Sequence, residues 1–199
     1  MSDEPVVVLD DRFVDAVGEA VRLHAGQARK GNGVPYLSHL LAVAGLVLEH
    51  GGDEDQAIAA LLHDGPEDQG GQETLDHIRE RFGTRVANIV AACSDTFETP
   101  KPPWRARKEA YIAHLSELSD AEGADVWPVS LADKVHNARS IVGDLRTFGP
   151  ATMERFTGRR DGTLWYYSTL AERLSALAPG PLADELARLA AEMRLLAER

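Results

Sequence analysis

The chain has 199 residues, 44% hydrophobic and 27% charged, enough to bury a core and ordinary for a soluble globular domain. Its formal charge of -11 argues against general nucleic-acid or anionic-membrane binding, which needs basic surface, but leaves room for a small anion held by a metal and a few placed cations. No apolar run approaches the ~20 residues of a membrane span. The acidic N-terminus lacks the basic segment of a signal peptide, and the lone Cys93 can form no internal disulfide, so a cytoplasmic address with a buried core thiol is expected.

Residues 1–10 read as a tail in which Val6, Val7 and Val8 are the one strand-like stretch. Phe13, Val14, Val17, Val21 and His24 share a stripe of a helix predicted over about 11–28, which Gly31, Asn32, Gly33 and Pro35 break into a loop. The next helix, about 38–50, is apolar nearly all round and should be central; Gly51 and Gly52 stop it. Asp53 caps a third helix that ends near His63 and Asp64, because Gly65 and Pro66 cannot continue it. Thr74 is the expected cap of a fourth helix ending at Phe82, and a fifth covers about 85–94.

A stiff loop from Glu98 to Pro103 then precedes a helix over 104–118, and an acidic loop over 120–125 precedes a helix over 128–145. Helices over 162–178 and 181–198 complete an all-α chain, a compact multi-helix bundle. Its domain is expected over 11–178. The remaining residues, 179–199, form a last helix whose Leu182, Leu186, Leu189, Met193 and Leu196 suit packing on that domain, with a homodimer contact as the alternative.

Chemistry concentrates in two places. His63, Asp64, Glu67 and Asp68 put an imidazole and three carboxylates within six residues, at a helix C-terminus where the dipole favours a cation. Leu131, Val135, Ala138, Val142 and Leu145 form the apolar stripe of a later helix, while Asp133, Asn137 and Ser140 fall on another face at i, i+4 and i+7. With His39, these stretches can offer two imidazoles and two carboxylates to one divalent metal, leaving Glu67 and Asp68 for proton transfer. That points to metal-assisted hydrolysis. His24 and His136 sit near the motifs and can orient ligands; His50, His77 and His114 read as surface residues. Cations cluster at Arg29 and Lys30, at Lys101, Arg105, Arg107 and Lys108, and at Arg159 and Arg160. The middle cluster reads best as a solvated helix face.

The order His39, His63 with Asp64, and Asp133 resembles the HD phosphohydrolase superfamily. Five blocks narrow it: Gln27 to Gly31, Pro35 to His39, Ala60 to Asp64 with Glu67 and Asp68, Leu131 to Arg139, and a weaker echo in Tyr167 to Leu174. They resemble the hydrolase domain of the Rel/Spo alarmone enzymes over roughly 11–177. The resemblance implies that His39, His63, Asp64 and Asp133 bind one metal, usually Mn2+, a donor set that also suits iron, zinc or cobalt. It further implies that Glu67 and Asp68 are the catalytic pair. Arg29, Lys30, Asn137, Ser140 and Arg160 would then contact the substrate.

The activity so implied is hydrolysis of the 3′-pyrophosphate of guanosine tetra- or pentaphosphate. Departures at Gly65, Pro66, the loop before Trp104 and the segment from Gly162 to Tyr167 leave other nucleotides as an alternative: an adenosine alarmone, a nucleoside phosphate or the 2′-phosphate of NADPH. A non-catalytic nucleotide-binding module is disfavoured by the retention of Glu67 and Asp68.

Overall fold

Helices α2 (Leu37–Glu49) and α3 (Glu54–Leu62) are apolar on nearly every face and so need cover on all sides. In the computed structural model, which describes residues 7–29, 33–98 and 100–199, Leu40, Val43 and Val47 of α2 and Ile58, Leu61 and Leu62 of α3 are buried. α1 (Asp11–Leu23), α5 (Gly71–Phe82), α6 (Thr84–Cys93) and the long α8 (Asp120–Phe148) pack against α3, and the short turn α4 (Gly65–Asp68) lies between α3 and α5. α7 (Trp104–Glu117) packs on α9 (Arg159–Leu177), and a 3-10 turn, Pro150–Arg155, links α8 to α9. Among the described residues the one β-type pairing is an isolated bridge, Ala28 to Pro35, and no helix is long and apolar enough to cross a membrane. The architecture is all-α.

The last helix, α10 (Pro181–Ala197), runs parallel to α8 and buries Leu182, Leu186 and Met193 against α8 and α9. Each such side chain contributes about 1.5–3 kcal/mol on leaving water. Two charged rungs flank the seam: Arg139 Nε donates to Glu185 at 2.6 Å and Arg146 Nε to Glu192 at 2.7 Å.

Several details differ from expectation. α8 begins at Asp120, so 120–125 is helix and Pro128 lies inside it. Ser119 and Glu122 form a capping box that starts the helix early. Proline removes the hydrogen bond to the carbonyl four residues back. Here Gln56 of α3 replaces it, donating Nε2 to the Ala124 carbonyl at 2.9 Å and to that of Asp125 at 3.2 Å. α1 stops at Leu23, because the chain turns at Gly26, which has φ of 75°. α5 starts at Gly71, and Thr74 donates its hydroxyl to the Gln69 carbonyl, so it does not act as a cap. At the terminus Val7 and Val8 form no strand; Val6 lies outside the described residues.

Candidate metal centre and active site

Four elements meet at one point. His39 comes from the first turn of α2, His63 and Asp64 from the end of α3, Glu67 and Asp68 from α4, and Asp133 from the middle of α8. Donor atoms of His39, His63 and Asp64 lie within 4.8 Å of one another. Asp64 Oδ2 is 3.6 Å from His39 Nε2 and 3.1 Å from His63 Nε2; Asp133 Oδ1 is 3.2 and 3.6 Å from the same nitrogens. Both rings are at least 98% buried, and neither Nε2 has a hydrogen-bond partner among the described residues.

The partners of the opposite ring nitrogens fix the tautomers. His63 Nδ1 donates to the Ala60 carbonyl at 2.8 Å. Arg29 can only donate, so His136 Nδ1, 3.3 Å from it, is an acceptor; His39 Nδ1, 2.8 Å from the same atom, therefore carries a proton. With Nδ1 protonated in both rings, each ring when neutral would turn its Nε2 lone pair towards the two carboxylates. An unpartnered buried nitrogen is costly, and two of them facing two acids fit a divalent cation. Burial opposes charge on His63, but Asp64 and Asp133 outweigh it and hold its pKa well above the ordinary range. Burial likewise opposes ionisation of Asp64 and Asp133; the neighbouring His63 and Lys134, respectively, lead the effects that hold them well below it. A field that favours a proton there favours any cation.

Further side chains hold this arrangement. The Tyr36 hydroxyl donates to Asp64 Oδ2 at 2.6 Å. Lys134 Nζ donates to Asp133 Oδ2 at 2.5 Å and Asn137 Nδ2 to Asp133 Oδ1 at 2.6 Å. Sequence reading singled out Asn137 but missed Tyr36 and Lys134, which carry a signal only in being adjacent to the motifs.

Beside the cluster opens a cleft of about 700 Å³. Glu67 and Asp68 line it. Lys101 Nζ donates to Glu67 Oε1 at 3.0 Å and lies 3.6 Å from Asp68. Burial, followed by the nearby Asp95 charge, raises the pKa of Glu67. Asp95 is itself gripped by Arg107 at 2.6 Å and Lys108 at 2.5 Å. The cations from Lys101 to Lys108 are therefore not simply a solvated face: Lys101, Arg107 and Lys108 line the cleft.

Arg29 also lines it, its Nη2 donating to Asn137 Oδ1 at 3.0 Å, and so does Ser140. Lys30 lies outside the described residues. Arg160 is not brought to the cleft; it sits exposed at the start of α9, bonded to Asp161 at 2.9 Å. Arg155 of the 3-10 turn lines the cleft instead, paired with Asp144. Cys93 is buried, which pushes its thiol up to about 12, a poor nucleophile at neutral pH.

The comparison with known sequences decides the family. The HD-domain pattern matches residues 16–176. The chain belongs to the HD-domain family and is related to the hydrolase domain of Rel/SpoT-type alarmone enzymes. This HD-domain chain is 36% identical over 153 residues to a Haemophilus influenzae guanosine-3′,5′-bis(diphosphate) 3′-pyrophosphohydrolase, covering 76% of this chain and 21% of that protein. It is 35% identical to the Escherichia coli K12 bifunctional (p)ppGpp synthase/hydrolase SpoT, covering 76% and 20%. The chain thus spans about a fifth of the length of these two relatives.

A shorter relative is the Xenopus tropicalis guanosine-3′,5′-bis(diphosphate) 3′-pyrophosphohydrolase MESH1, 33% identical over 144 residues, 71% of this chain and 73% of that one. Among solved structures, a metazoan SpoT ortholog described as hydrolysing ppGpp superposes with a TM-score of 0.73 at 24% identity over 92% of this chain and 96% of that one, which speaks for the HD fold alone.

Proposed function

We propose that the chain hydrolyses the 3′-pyrophosphate of guanosine tetra- or pentaphosphate, releasing pyrophosphate and leaving GDP or GTP. The observation that carries this is the placement of Glu67 and Asp68: two carboxylates beside a four-donor cluster that does not need them, in a cleft rimmed by Arg29, Lys101, Arg107 and Lys108. The relatives named as 3′-pyrophosphohydrolases support it.

His39, His63, Asp64 and Asp133 would hold one divalent metal, with Mn2+ the expected ion. The chemistry such an ion supplies is that of a Lewis acid, which makes water a nucleophile near neutral pH and polarises a phosphoryl oxygen. The water oxygen attacks the phosphorus joined to the ribose 3′ oxygen, and the bond from phosphorus to that oxygen breaks. Asp68 and Glu67 orient the water and take its proton; Glu67, with its raised pKa, can pass a proton to the departing 3′ oxygen. Arg29 and Lys101 offset charge that builds on the phosphates. A binding-only module has no use for that carboxylate pair.

One observation favours a second reading. Trp104, Phe156, Tyr166 and Tyr167 line the cleft, and apart from the tyrosine hydroxyls and the Trp104 indole N–H they offer ring surface, which does not single out guanine. The same reaction centre could then serve an adenosine alarmone, a nucleoside phosphate or the 2′-phosphate of NADPH. Manganese-loaded protein is to be assayed against this panel. Pyrophosphate released from guanosine 3′,5′-bis(diphosphate) is expected; inorganic phosphate without pyrophosphate would replace the first reading by the second. Glu67→Gln should lower turnover by about 100-fold or more while leaving nucleotide affinity within a few-fold.

A further inference from the structure

The loop between α1 and α2 carries Gln27, whose side chain the proposed reaction does not use. Gln27 is pinned through its backbone, its N–H donating to the His24 carbonyl at 3.0 Å and its carbonyl accepting from Tyr36 N–H at 2.9 Å. Its side-chain oxygen, Oε1, receives two donors: His24 Nδ1 at 2.8 Å and Gln69 Nε2 at 2.9 Å. Asp68 Oδ2 is an acceptor, so the Gln27 amide turns its nitrogen to it, donating at 2.9 Å, and leaves its oxygen to accept from His24 Nδ1 and Gln69 Nε2.

His24 is itself fixed. Its ring stacks on Tyr36 with centroids 5.1 Å apart, it is 4% exposed, and its Nε2 has no hydrogen-bond partner among the described residues. Every bond in this chain of groups therefore converges on one carboxylate oxygen. With Oδ2 occupied, Oδ1 is the Asp68 oxygen left free of Gln27; Lys101 lies 3.6 Å from it.

We propose that Gln27 is a positioning residue, held by His24 and Gln69, that fixes the Asp68 carboxylate so that Oδ1 meets the attacking water. This rests on the proposed hydrolysis only in taking Asp68 as a reacting group, whichever nucleotide is cleaved. Gln27 touches no reacting atom; it acts through Asp68. A carboxylate free to rotate would spend much of its time misaligned, and misplacements of about 1 Å can cost on the order of 100-fold in rate.

The test uses full-length, manganese-loaded protein with Gln27→Glu and Gln27→Met. Glutamate keeps the shape, removes the donor and sets a second carboxylate against Asp68. Like charges in contact disfavour joint ionisation. Expected with guanosine 3′,5′-bis(diphosphate) are a fall in kcat of about 10- to 100-fold in both variants, KM within about threefold, and an acidic limb of the kcat profile displaced to higher pH in Gln27→Glu. Long-range nitrogen–proton NMR of the unsubstituted protein should show His24 protonated at Nδ1.

Turnover within threefold of the unsubstituted protein overturns the proposal. So does a fall in kcat with the acidic limb unmoved, which marks a merely structural role, or a His24 ring bearing its proton only on Nε2. Failure of the alarmone reading alone shows as turnover confined to NADPH or another nucleotide of the panel, on which the same variants are compared. Unsubstituted protein that cleaves none of them overturns the role of Gln27 as well.

Discussion

The Tyr36 hydroxyl donates to Asp64 Oδ2 at 2.6 Å, joining the loop after α1 to the metal cluster at the end of α3. The tyrosine would not touch a bound ion; it orients a ligand. Removing such a partner costs about 10- to 100-fold in metal affinity. Tyr36→Phe keeps the ring stacked on His24, so manganese titration by calorimetry should show that loss with the helical content intact. Unchanged affinity would remove Tyr36 from the account of the cluster.

Chelation supplies a second test. An ion that binds the folded chain alone stabilises it by about 2.7 kcal/mol at a hundred times its Kd. In a chain of this size each kcal/mol moves Tm by about 2–4 °C. EDTA should therefore lower the melting temperature by about 5–10 °C, and His63→Ala should abolish the difference. The same Tm with and without chelator would speak against a metal centre.

The ring of His136 is held down to about 4, by burial first and then by His39 and Arg29. The unfolded chain, with this group near 6.5, takes up the proton earlier. Stability from this group is thus fully present above 6.5 and is lost as pH falls from there towards 4. Melting temperatures across that interval should fall more steeply for the unsubstituted protein than for His136→Asn, which keeps an acceptor and cannot titrate. Parallel slopes would contradict the assignment.

Gln56 replaces the bond that Pro128 removes from α8, so Gln56→Leu leaves the Ala124 and Asp125 carbonyls without that donor. The expected loss is about 1–3 kcal/mol, read from urea denaturation. In a Pro128→Ala background the loss should shrink, because the helix can then bond Ala124 itself. Equal losses in both backgrounds would mean that Gln56 serves the fold in another way.

Helix periodicity made most of the fold legible, since an apolar stripe reports a face and glycines report ends. The residue types and order of His39, His63, Asp64 and Asp133, through their resemblance to the HD pattern, pointed to a meeting that the structure contains as geometry. What stayed hidden depends on partners far along the chain. Pro128 argues for a helix start until Gln56, 68 residues from Ala124, supplies the missing donor. Arg155 and Arg160 are equivalent as letters; the 3-10 turn and the phase of α9 decide which faces the cleft. Gln27 and Tyr36 act through single atoms whose aim no pattern of residue types encodes.

The Arg139–Glu185 and Arg146–Glu192 rungs both join residues 46 apart, so α8 and α10 keep step over a full heptad. One residue inserted in α10 between Glu185 and Glu192 would swing Met193 and Ala197 by about 100° off their seat and break the second rung together with it. Seven residues would nearly restore the phase. For anyone inserting residues between Glu185 and Glu192, or deleting them there, the workable unit of length is two helical turns, and single-residue edits are the hazardous ones.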